Sequence, residues 1–109
     1  MKVHAFPKSA RLLKRREFER VIRQGVRFSG KSVYIEILPQ KEGPTRLGIT
    51  VTKKFGDAPV RNKFKRLVRE AFRLNQSSLK AAHFNVRPKI NPSLMTLTAI
   101  AADIKAAGS

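Results

Sequence analysis

The chain has no cysteine, which excludes disulfides and thiolate metal sites. No apolar run approaches the ~20 residues that a membrane-spanning helix needs. The first sixteen residues are basic but lack the apolar stretch of a secretion signal. Patterned structure begins too soon after them for an organelle transit peptide. The compartment expected from these absences is the cytoplasm, with no membrane partner. Acids are also scarce. Glu17, Glu19, Glu36, Glu42, Asp57, Glu70 and Asp103 are scattered, and no pair stands out as an acid–base couple. His4 and His83 have no helix-spaced partner and read as surface or packing residues. No metal-ligand spacing is present. No catalytic or metal-binding residue is therefore expected from spacing alone, which disfavours a self-sufficient nuclease.

What is abundant is positive charge. The 109 residues carry 24 Lys and Arg against 7 acids, a formal charge of +17. Such an excess costs self-repulsion in the folded state. A polyanion offsets it, because Lys and Arg that neutralise phosphates release condensed counterions. Length and an apolar content of 41% fit a single domain, residues 1–109.

Met1 to Leu13 reads as an extended basic arm, since Pro7 disfavours helix at Phe6. A helix follows from about Lys14 to Gln24, with Phe18, Val21 and Ile22 on one face and Gly25 as its C-terminal cap. Val33, Ile35 and Ile37 alternate with polar neighbours at strand period, as do Leu47, Ile49 and Val51. The turn cluster Pro39–Pro44 between them predicts an antiparallel hairpin. A long helix then starts near Ala58 or Pro59 and ends between Leu74 and Gln76. Val60, Phe64, Leu67, Val68, Ala71 and Phe72 form its apolar stripe. Phe84 and Val86 mark a third strand. Asn91 and Pro92 are expected to open a last helix that buries Leu94, Leu97, Ala101 and Ile104. The order αββαβα gives an α+β fold, a small sheet with three helices sandwiched against it. The second strand, long helix and third strand form a βαβ unit if the outer strands are parallel.

The informative segment runs from Val51 to Arg73. Lys53 and Lys54 stand at a strand end, and a turn containing Gly56 and Asp57 leads into the long helix. Arg61, Lys65, Arg66, Arg69 and Arg73 occupy the face opposite the apolar stripe. Helix N-termini attract phosphate through free N–H groups and the dipole. Arginine forks match phosphate oxygens, and Asn62 can both donate and accept. A merely solvated basic face is the competing reading; the loop lysines and Asn62 weigh against it. A second constellation is aromatic. If Val33, Ile35 and Ile37 face the core, Tyr34 faces outward, where it can stack on unpaired bases. Phe18 reads first as a core residue beside Val21 and Ile22; for Tyr34 both readings stay open.

These residues resemble the protein component of bacterial ribonuclease P. The family's Arg-Asn-Arg, apolar, Lys-Arg signature is similar to Arg61-Asn62-Lys63-Phe64-Lys65-Arg66. Gly48 to Lys54, Ala5 to Leu13, Glu17-Phe18 and Phe84 to Lys89 add to the likeness. Lys63 departs by losing a planar fork. Glu36 stands where an aromatic or apolar residue is common, and Ile22 where Phe is common. The resemblance implies a βαβ crossover of left-handed sense, the fold typified by the second domain of a ribosomal protein. It implies a catalytic RNA partner that removes the 5′ leader of precursor tRNA with the aid of Mg²⁺, held mainly by RNA, and no obligate protein partner. Lys53, Lys54, Arg61, Asn62, Lys63, Lys65, Arg66, Arg69 and Arg73 would contact the catalytic RNA. Phe18, Ile22, Tyr34 and Glu36 would line a cleft for the leader. A ribosomal or other structural RNA-binding protein is the rival reading. A DNA-bending protein is a third, but the sequence offers neither a dimerising arm nor an apolar wedge.

Overall fold

A computed structural model describes residues 10–41 and 43–108. The elements are α1 (Arg15–Gln24), β1 (Val26–Ser29), β2 (Val33–Pro39), β3 (Arg46–Ile49), α2 (Ala58–Asn75), β4 (Ala82–Pro88) and α3 (Leu97–Gly108), with short 3₁₀ turns at Gln76–Ser78 and Pro92–Leu94. The four strands make one mixed sheet in the order β1-β2-β4-β3.

The expected hairpin between β2 and β3 does not form. β2 pairs antiparallel with β4, Ile35 opposite Val86, and β3 pairs parallel with β4, Leu47 opposite Phe84. The Pro39–Pro44 cluster turns the chain, but a turn does not make its flanking strands neighbours. β4 carries Phe84 and Val86, both fully buried, and its apolar face earns it the central position between them. The βαβ unit β3-α2-β4 is as expected. The true hairpin joins β1 to β2 through Gly30–Ser32. β1 escapes sequence reading because it is a four-residue edge strand with Val26 70% exposed.

α2 and α3 cover one face of the sheet. There Val33, Ile35, Phe84 and Val86 meet Phe64, Val68, Phe72, Ile100 and Ile104 in a continuous core. α2 starts as its sequence dictates: the Asp57 carboxylate accepts the Val60 N–H at 3.2 Å, and Pro59 sits in the first turn. α3 begins later than expected. Asn91 and Pro92 open only the 3₁₀ turn, and the Thr96 hydroxyl caps α3 by accepting the Ala99 N–H. That break shifts the helical phase. Leu94 is therefore exposed rather than buried, and Ile100, Asp103, Ile104 and Gly108 form the inner face. Asp103 accepts the backbone N–H groups of Lys31, Ser32 and Val33 at 3.1, 2.8 and 3.1 Å, so α3 clasps the β1–β2 turn.

α1 lies against β2 and β4 on the other face. The Glu17 carboxylate accepts the N–H groups of Lys14, the N-cap, and of Leu13 before it, at 2.9 Å each. Those two bonds outweigh the opposing effect of burial and, with the Arg46 charge, hold Glu17 below the ordinary carboxylate value. Of the expected arm, residues 1–9 lie outside the described residues. Arg11 bridges Leu47 in parallel register, and Leu12 donates its N–H to the Leu47 carbonyl at 3.0 Å. This segment thus extends the sheet beyond the β3 edge.

Candidate nucleic-acid interface

The period of α2 divides its side chains. Phe64, Val68, Ala71 and Phe72 are buried against the sheet and α3, while Asn62, Lys63 and Arg66 are exposed. Arg61, Lys65, Arg69 and Arg73 stand half-buried along the flanks. Lys53 and Lys54 are exposed in the turn before the helix, whose Phe55 N–H bonds the Thr52 carbonyl. Arg61 and Arg73 are twelve positions apart, roughly 18 Å along the axis. The face is therefore a track for several phosphates and not a pocket for one. The helix N-terminus is already occupied at Val60 by Asp57, so the phosphate affinity of this surface rests on side chains. Arg73 is held by an ion pair with Glu70.

At the β3 edge the track meets the N-terminal segment. Arg11, Lys65 and Arg69 surround a shallow cavity of about 130 Å³ that Phe18 and Gly48 also line. Burial pushes the Arg69 guanidinium below its ordinary value, and the neighbouring Arg11 charge pushes it the same way. A phosphate placed between Arg11 and Arg69 would lower the repulsion between those two charges.

The second surface is the sheet face beneath α1. Strand alternation places Tyr34 and Glu36 of β2 beside Arg27 of β1, Asn85 and Arg87 of β4, and Gly48 of β3. Tyr34 is half-buried, with the Arg87 guanidinium 5.2 Å and the Lys89 ammonium 5.4 Å from its ring centroid. Both lie in cation–π range. Glu36 is 1% exposed. Its carboxylate accepts from Arg87 Nη2 at 2.7 Å, Arg87 Nε at 3.2 Å and Asn85 Nδ2 at 3.0 Å, and it pairs with Arg27 Nε at 3.2 Å. Thr50 donates to Asn85 Oδ1 at 2.9 Å. Burial alone would raise the Glu36 pKa. The hydrogen bonds from Arg87 and Asn85 and the charges of Arg87 and Arg27 outweigh burial and hold it below the ordinary value.

Phe18 reaches across this face to the bare backbone of Gly48. A Cβ there would stand 2.5 Å from Phe18 Cε1 and 2.8 Å from Leu12 Cδ1, which explains a glycine inside a strand. Ile22 is exposed on α1, and Val21 is fully buried beneath it. The structure thus brings Phe18, Tyr34 and Glu36 to one side of the sheet, with Ile22 on the outer surface of the helix that crosses it. Sequence reading passed over Arg11, Arg27, Arg87 and Lys89. Arg87 was within reach, because Phe84 and Val86 facing inward send Asn85 and Arg87 outward. Arg27 was not, for its strand was not recognised.

Among the described residues, no three carboxylate, imidazole or thiol side chains converge as a metal site. No described residue is assigned to the Mg²⁺, which the resemblance places mainly on RNA. No described helix is long and apolar enough to cross a membrane.

Fold and surface define a class, a small basic α+β chain with one mixed sheet and a cation-lined helix packed on it. The chain belongs to the ribonuclease P protein family, whose model, described as Ribonuclease P, matches residues 6–107. It is 52% identical over 84 residues to the ribonuclease P protein component of Chlamydia abortus, a match covering 76% of this chain and 60% of that protein. With the component from Chlamydia trachomatis serovar D it shares 45% identity over 86 residues, 78% of this chain and 72% of that one. The chain thus spans about 60% of the length of the first of these curated relatives. Its fold superposes on the RNase P protein of Staphylococcus aureus with a TM-score of 0.78, at 30% identity and covering 91% and 92% of the two chains. For the Thermotoga maritima RNase P protein the TM-score is 0.77, at 28% identity and covering 89% and 93%.

Proposed function

We propose that this chain is the protein subunit of a ribonuclease P ribonucleoprotein. It binds the catalytic RNA through α2 and the 5′ leader of precursor tRNA through the sheet face beneath α1. The observation that carries this reading is the family match across residues 6–107, joined to an α2 whose Asn62, Lys63 and Arg66 stand exposed.

Each surface suits its partner by different physics. Folded RNA presents a phosphate backbone, and the α2 track meets it with charge-assisted hydrogen bonds. A single-stranded leader presents unstacked bases, and Tyr34, braced by Arg87 and Lys89, offers a stacking platform. The chain's part in the reaction is positional. It lowers the repulsion between two RNAs and holds the leader, while hydrolysis of the phosphodiester is carried by the RNA subunit with Mg²⁺ bound to RNA. The cavity among Arg11, Lys65 and Arg69 lies between the two surfaces, where a strand passing from one to the other would place a phosphate.

The test is reconstitution. Protein, catalytic RNA, precursor tRNA and Mg²⁺ are mixed at physiological salt, and release of the 5′ leader is followed. The expected result is processing well above that of the RNA alone and none by protein alone. Tight RNA binding with no gain in processing would favour a structural RNA-binding protein instead. Cleavage by RNA-free protein would overturn the assignment of catalysis to RNA.

A further inference from the structure

Beside the cationic track, α2 borders an apolar recess that the charge-based reading does not use. Its volume is about 270 Å³, and Phe55, Val60, Phe64, Leu67 and Met95 supply its apolar wall. Phe55 and Phe64 meet at a tilt of 57° with ring centroids 5.2 Å apart. Exposed Lys63 and Ser93 also line it, and no acidic residue does. Arg66, one turn beyond Lys63 and exposed, extends the cationic row alongside.

We propose that this recess receives one unpaired nucleobase of the catalytic RNA, an inference that rests on the RNA-binding reading above. Size is the first argument. Pockets for drug-sized ligands begin at roughly 300 Å³, so this one accepts a planar ring and leaves sugar and phosphate outside. Charge is the second. Lys63 and Arg66 stand where that excluded phosphate would lie, on a chain of net charge +17. Surface chemistry is the third. A base has apolar faces and a polar edge, and the recess pairs an aromatic wall with the Ser93 hydroxyl, which donates and accepts. Splayed-out bases stacked on aromatic side chains are a general mode of RNA recognition.

Two measurements test it on the full chain. Methyl NMR of Val60, Leu67 and Met95 is followed on adding AMP or ribose 5-phosphate. The expected result is that AMP shifts all three and ribose 5-phosphate does not. Equal shifts would reduce the site to a phosphate contact and overturn the proposal. So would shifts produced by an acidic amphipathic peptide and not by AMP, which point to a protein partner. The second measurement uses Ser93→Trp, which sets a ring over the mouth from an exposed position and removes no cation. Its binding to catalytic RNA should weaken about tenfold, within the range of one lost base stack, with the salt dependence unchanged. Unimpaired binding by Ser93→Trp, with wild type binding normally, overturns the base pocket alone. Failure of wild type to bind the RNA overturns the parent reading, and the pocket with it.

Discussion

Glu36 illustrates how one buried carboxylate organises a cationic surface. Four donor atoms converge on it from the two flanking strands, and in answering them it fixes Arg87 beside Tyr34. An aromatic at this position would offer one more stacking face; the carboxylate instead rigidifies the platform already there. Glu36→Gln removes the charge that answers Asn85 and the solvent-accessible Arg87 and Arg27. It should therefore lose about 1–3 kcal/mol of stability at neutral pH, read from urea denaturation. The sign with pH follows from the depressed folded pKa. The contribution is complete above the unfolded value, near 4.5, and is lost as pH falls through the folded one. The gap between wild type and Glu36→Gln should thus narrow on acidification below about pH 4.5, and a gap constant from pH 7 to pH 3 contradicts the buried pair. Arg66 and Tyr34 separate the two surfaces. Arg66→Ala should weaken binding to catalytic RNA and reduce the salt slope by about 1, leaving the response to leader length intact at saturation. Tyr34→Ala should bind that RNA normally yet lose about tenfold of the advantage of a long leader, the scale of one base stack. Paired titrations on catalytic RNA and on precursors with short and long leaders distinguish them; identical defects would rule out two surfaces.

At the scale of elements, α1 and β3 are coupled through a missing side chain. Gly48 lets Phe18 lie on the sheet, and that contact sets how closely α1 approaches the Tyr34 face. Gly48→Ala should cost about 1–3 kcal/mol through overpacking and disturb leader binding while sparing assembly with the catalytic RNA. A variant with unchanged melting temperature would show that Phe18 is free to move aside. The elements differ in how far the sequence discloses them. α2 was legible to within a residue because N-terminal proline and apolar stripe agree. The basic track came with it, since the stripe defines the opposite face. Tyr34 facing outward was legible from β2 alternation alone. The partner of β2 was not, because alternation reports a face and not a neighbour. The phase of α3 was lost at Met95 and Thr96, where a 3₁₀ turn mimics a helix start. Arg87 and Arg27 as holders of Glu36 depend on register, which no single strand encodes.

At the scale of the molecule, charge governs association. With several phosphates neutralised along α2, affinity for the catalytic RNA should fall by about 10³-fold or more between 50 and 200 mM salt, as filter binding would report. An affinity flat over that range would mean that contacts other than phosphate dominate. The same chain that spreads its charge along one helix stores its tertiary order late. β4, residues 82–88, separates β2 from β3 in the sheet, and Asp103 holds the β1–β2 turn from 70 to 72 positions away. Three strands are thus synthesised before the one that joins them, and the first hairpin waits for a carboxylate near the end of α3. A nascent chain leaving the ribosome cannot join its first hairpin to β3 until β4 emerges. During that interval its unpaired strand edges and bare cations face a surrounding rich in ribosomal RNA. Its acquisition of structure therefore waits on β4 and α3, and a halt in translation before residue 82 leaves a basic chain without the strand that joins the sheet.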